Sequence, residues 1–204
     1  MKKLLLSCCL VVGMTSMSTA QSLLIAIEAE NGRLGSDWNS LTDLGLGYIS
    51  PKTDKIESYF PGNETKVATY SIKFPKAGEY ELYLKVKVGS GGANDDSFFS
   101  GKGFGNKDVR KSDDWAMVNG FFISGYHADQ STAVVEAAGA GKTDTWKWVS
   151  MSKFSNKATN YIVPEGQLTQ TFQIAGREDG LDIDKFVFAS KGTLVTVEQL
   201  NNAK

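Results

Sequence analysis

Apolar and polar residues follow a period of two, or crowd into β-branched and aromatic runs, along six stretches of the chain. These are 23–30 (LLIAIEAE), 66–74 (KVATYSIKF), 79–88 (EYELYLKVKV), 145–151 (TWKWVSM), 168–176 (LTQTFQIAG) and 181–189 (LDIDKFVFA). Successive side chains of an extended strand point to opposite faces, so each stretch predicts a strand with one buried side. PKAG (75–78) and VPEGQ (163–167) place Pro and Gly where a tight reversal needs them. Long Gly-, Asn-, Ser- and Asp-rich stretches at 31–63, 89–114 and 124–144 predict loops, and no long amphipathic helix is indicated. Many short strands joined by Gly-marked turns predict an all-β chain: a β-sandwich of two antiparallel sheets, of jelly-roll type. The stretch 181–189 carries a conflict. Its parity sets Leu181, Ile183 and Val187 on one face, and Asp182 and Asp184 beside Phe186 and Phe188 on the other. A carboxylate on a core face needs a partner.

The first twenty residues stand apart from this pattern. Lys2 and Lys3 precede an apolar run from Leu4 to Val12, and STA closes the segment at 18–20. This is an export signal with cleavage expected after Ala20, and its apolar run is too short to span a bilayer. The mature protein is therefore expected to be secreted or periplasmic. Both cysteines, Cys8 and Cys9, lie inside that segment, so the mature chain has no disulfide and no thiolate. A single histidine, His127, excludes a multi-histidine zinc site. Of 22 basic residues the signal removes two, leaving 20 against 23 acidic ones and a net charge of −3. That balance gives no basic surface for nucleic acid, and no membrane partner is indicated. The expected organisation is one domain over 21–190, with 191–204 a tail, a last strand or a linker.

Two constellations carry chemistry. Glu28 and Glu30 share a face of the first strand, and if that strand meets the last one, Asp184 joins them. Three carboxylates at close range need a cation, and hard oxygen ligands select calcium; alternatively the glutamates are solvated and pair with lysines. The second constellation is aromatic. Trp146 and Trp148, two apart, project from one strand face, either as two core residues or as an exposed ring for the C–H face of a sugar.

The segments IEAEN, AGEYELYLKV, TWKWVS and GREDGLDIDKFVF, in that order over residues 24–190, resemble the non-catalytic carbohydrate-binding modules of families 6 and 35. Such modules are appended to bacterial polysaccharide-degrading enzymes. The resemblance implies a structural calcium held by Glu28, Glu30 and Asp184, with the backbone carbonyl of Arg33 assigned as a further ligand. It also implies a sugar clasped by Tyr48, from LGYIS, and Trp146, with Trp148 in the core. Asp182 stands where the family often has an asparagine. An acceptor-only carboxylate still binds sugar hydroxyls but disfavours an anionic sugar unless a cation bridges them. The implied ligand is a polysaccharide or oligosaccharide, and the implied state a monomer, alone or with a catalytic partner.

Other residues keep two readings. Asp95 and Asp96 are loop acceptors or turn formers, and Trp115 is a second platform or an edge packer. Arg177 and Glu178 are an ion pair, or Arg177 reaches a carboxylated sugar. Trp38, Tyr126 and His127 carry no pattern. No catalytic motif surrounds the acids and no base cluster suggests a lyase, so the chain is expected not to be an enzyme. The alternatives are the front end of a longer glycoside hydrolase or polysaccharide lyase, and a structural or adhesive surface protein that binds no sugar.

Overall fold

A computed structural model describes residues 24–136, 139–151 and 161–204. The export segment, with Cys8, Cys9 and the Ala20 junction, lies outside the described residues. All six expected strands form: β1 (Leu24–Glu28), β5 (Val67–Lys73), β6 (Gly78–Val88), β10 (Lys147–Ser150), β12 (Thr169–Gly176) and β13 (Leu181–Ser190). The stretches expected as loops hold further strands: β2 (Arg33–Leu34), β3 (Trp38–Asp43), β4 (Leu46–Pro51), β7 (Phe98–Gly101) and β9 (Tyr126–His127). β8 (Trp115–Val118) and β11 (Tyr161–Val163) complete the set.

The strands form a β-sandwich. The larger sheet has eight strands in the order β3-β4-β13-β6-β10-β9, with β1 paired to β13 and β11 to β6. The smaller has five, in the order β2-β5-β12-β7-β8. Every strand pairing within the two sheets is antiparallel. Between the sheets lies an aromatic and aliphatic core to which β6 gives Leu84 and Val86, β12 gives Phe172 and Ile174, and β13 gives Phe186 and Phe188.

β13 departs from its expected parity. Leu181 and Ile183 lie in the same core as Phe186 and Phe188, although two residues separate Ile183 from Phe186 where a regular pleat allows one. The pairing with β6 shows why. Ile183 faces Val86 and Lys185 faces Lys85, so Asp184 is an extra residue, a β-bulge. The bulge turns Asp184 and Lys185 together to the outer face, opposite Lys85. This corrects the expectation that Asp184 shares a face with the phenylalanines.

The outer face of the larger sheet is itself half covered. Tyr83, Trp148, Val187 and Ala189 form a second apolar cluster with Val195 and Leu200. The covering piece is α1 (Val197–Asn201), capped by Thr196, whose hydroxyl accepts from the Gln199 amide at 3.2 Å while Gln199 Oε1 accepts from the Thr196 amide at 2.9 Å. Residues 191–204, expected as a tail, strand or linker, thus close a core; the T-x-x-Q capping pair was the available signal. Among the described residues no helix is long and apolar enough to cross a membrane.

Candidate functional site

Beyond the edge of that second cluster, the outer face of the larger sheet stays open, and here the expected sugar residues meet. Tyr48 lies within β4, Trp146 immediately precedes β10, and Asp182 lies in β13 directly opposite Lys87 of β6. The alternation K-V-K-V places Val86 and Val88 in the core and sends Lys85 and Lys87 outward. Tyr48 and Asp182 thus stand on strand faces, and Trp146 at the head of a strand.

The Tyr48 and Trp146 rings touch edge to face, with centroids 5.6 Å apart at 69°. A sugar held between two rings needs a carbon contact of about 3.5–4 Å on each side. The pair therefore forms one joined surface and does not sandwich a ring in this arrangement. Lys87 Nζ lies 5.2 Å from the Tyr48 centroid and 5.0 Å from that of Trp146. The same ammonium is 3.0 Å from Asp182 Oδ2. Burial alone would push Lys87 down; the hydrogen bond and charge of Asp182, with smaller help from Tyr48 and Asp43, hold it above the ordinary lysine value. Asp182 thus carries its own bridging cation. Leu41 of β3, 41% exposed and directly opposite Tyr48, extends the apolar surface toward the sheet edge. Sequence reasoning missed Leu41, Lys85 and Lys87; for the lysines, the outward parity of β6 was the signal.

The expected metal ligands are placed differently. The first and last strands do pair, with Glu28 facing Lys185. Glu28 Oε1 lies 2.8 Å from Lys185 Nζ, and Asp184 Oδ2 lies 2.8 Å from Lys85 Nζ. Glu30 keeps a buried Oε2 that accepts no hydrogen bond from the described residues, and its Oε1 stands so close to Gly47 that a Cβ there would collide with it. Arg33 is exposed and paired with Thr69 in the smaller sheet. Among the described residues no three acids, histidines or cysteines gather as a metal-holding group. Calcium takes six to eight oxygens; the set Glu28, Glu30, Arg33 and Asp184 does not fit it, because lysines stand against two of the carboxylates and Arg33 belongs to the other sheet.

The remaining residues with two readings resolve toward structure. Trp115 is buried, its Nε1 donating to the Asp108 carbonyl at 2.9 Å. Asp95 shapes its turn, accepting the Gly91 amide at 2.7 Å. Asp96 is buried; its amide donates to Glu178 Oε2 at 2.8 Å and its Oδ2 accepts from Phe122 N at 3.0 Å. Burial, reinforced by Glu178, pushes the Asp96 carboxyl up against the lowering effect of the backbone amides. Arg177 is held between Ser97 and Glu178. Trp38 is buried, its Nε1 donating to the Lys66 carbonyl at 2.7 Å. His127 faces Lys147 in β9.

By sequence, no family model and no curated protein matches the chain. By structure, it is similar to the GH26-CBM35 β-(1,4)-mannanase of Podospora anserina, at 15% identity and a TM-score of 0.48, covering 85% of this chain and 29% of that one. It is similar to the exo-β-1,3-galactanase of Phanerochaete chrysosporium at 12% identity and a TM-score of 0.47, covering 81% and 29%. A family 35 carbohydrate-binding module from Clostridium thermocellum is also similar, at 11% identity and a TM-score of 0.45, covering 82% of this chain and 98% of that one. The chain thus spans under a third of the two enzymes and nearly the whole of the isolated module. The likeness is one of fold.

Proposed function

We propose that the protein binds a polysaccharide or oligosaccharide on the open outer face of its larger sheet and does not cleave it. The observation that carries this reading is the joined Tyr48–Trp146 surface, partly exposed, with the Lys87–Asp182 pair beside it. An apolar ring surface accepts the C–H face of a pyranose, and an ammonium and a carboxylate at its border donate to and accept from the hydroxyls. Binding without cleavage is supported by the carboxylates at hand. Asp182 is engaged by Lys87, and Asp184, whose burial pushes its carboxyl up despite Lys85, is wholly shielded from solvent and so from a glycosidic oxygen. The export signal read in the first twenty residues fits a glycan outside the cytoplasm, and the binder would work alone or beside a catalytic partner.

The test is retention of the mature chain in affinity gels and on a glycan array, with Tyr48→Ala and Trp146→Ala alongside. A glycan that retards the wild type should lose about tenfold or more in affinity for Trp146→Ala, since anchoring rings dominate small interfaces. Variants that bind as the wild type does would place the sugar elsewhere. A wild type retained by no glycan would favour a structural or adhesive sandwich.

A further inference from the structure

We propose that the first and last strands, β1 and β13, are latched to each other and to β6 by lysine ammonium groups in the role that a divalent cation would otherwise fill: Lys85 on Asp184, and Lys185 on Glu28. The inference is independent of the sugar reading. It rests on the lanes of the larger sheet. Glu28 of β1 faces Lys185 of β13, which faces Lys85 of β6, so acid and base form a row across three strands. The bulge adds Asp184 to this row on the same outer face. Asp184 has no solvent exposure, and neither of its oxygens accepts an aligned hydrogen bond from the described residues. The 2.8 Å approach of Lys85 therefore supplies its compensating charge.

Two carboxylates are thus matched by two ammonium groups, each bringing three donors. A calcium ion entering among them would stand beside both lysines, and like charges that close repel strongly where water is excluded. It would also lack oxygens: among the described residues Glu30 Oε2 and the two Asp184 oxygens are the buried carboxylate atoms here without a hydrogen bond, three against the six to eight that calcium takes. Lys85 reaches further still, its ammonium lying 5.9 Å from the Trp146 ring centroid, so the latch and the aromatic surface share one row of charge.

Thermal melts of the mature chain, in chelator and in millimolar calcium, decide the matter together with Lys85→Met and the double variant Lys85→Met/Asp184→Asn. The wild type should melt at the same temperature in chelator and in calcium. Lys85→Met should melt lower by about 10 °C, because a buried carboxylate loses its partner. The double variant should recover most of that loss, because removing both partners leaves no orphaned charge. A wild type stabilised by calcium or weakened by chelator overturns the proposal. So does Lys85→Met melting like the wild type, or a double variant no better than the single one. Should Lys85→Met not fold at all, recovery of folding by the double variant supports the latch and its absence refutes it.

Discussion

Trp146 and Trp148 stand two residues apart on one side of the sheet and meet different surroundings. Trp148 is fully buried in the second apolar cluster, with its Nε1 donating to Asn201 Oδ1 at 2.8 Å. Trp146 lies beyond the edge of that cover, partly exposed against Tyr48 and the two lysines. Trp148→Ala should therefore lower stability by about 3–5 kcal/mol, through lost burial and a cavity. Trp146→Ala should cost about 1 kcal/mol or less while removing the binding surface. Urea unfolding of both variants, read beside glycan retention, checks the pair; an exchange of the two phenotypes would mean that the roles are reversed.

At the scale of elements, the bulge in β13 and the β3–β4 hairpin set the site. The bulge turns a charged pair outward without sacrificing Ile183 or Phe186 from the core. The hairpin reverses through Leu44 and Gly45, with Asp43 paired to Leu46 and φ of 49° and 84° at the two turn residues. Positive φ at both positions is the two-residue turn that suits twisted strands, and it favours Asn or Asp followed by Gly. A fully exposed leucine in that place is both strained and unburied. Leu44→Asn should thus raise stability by about 0.5–1 kcal/mol without touching Tyr48. Denaturant midpoints of the two proteins give the check, and a loss of stability would show that Leu44 has a contact worth more than the strain. The same leucine hid the hairpin in the sequence, because a D-L-G-L run lacks the usual turn signature.

For the molecule as a whole, a buried cation ties β10 to the segments around Phe121 and Lys142. Lys147, between the two tryptophans, points inward, and its Nζ donates to the carbonyls of Phe121 at 2.5 Å and Lys142 at 2.9 Å. Burial pulls its pKa down from 10.5 to about 8, against the attraction of Asp96. Below that value the ammonium is charged in both the folded and the unfolded chain. Between about 8 and 10.5 the unfolded chain binds more protons, so this group makes stability rise with pH across the window. Denaturant unfolding of wild type and Lys147→Met through that range should show the rise in their difference; a difference that is flat, or that falls, would show that Lys147 keeps an ordinary value. Comparing the two proteins cancels tyrosines such as Tyr80, whose burial raises them.

Period-two alternation determined the strands that carry the core, because burying one face of a sheet imposes that spacing whatever the rest of the chain does. The meeting of the first and last strands entered only as a condition, and the grouping of Tyr48, Trp146 and Asp182 only as what the family resemblance implies. The edge strand β3 and the short strands in the glycine-rich stretches could not be expected from the sequence, since few of their residues are buried in a regular pattern. Parity itself misled at Asp184. A bulge depends on the partner strand's register, and no single strand records that β6 has one residue where β13 has two. Pairing of the glutamates with lysines was one open reading, but which lysine meets which acid was not legible: an ion pair is a distance across strands. Which ammonium stands against which carboxylate was therefore set only when β1, β13 and β6 came together.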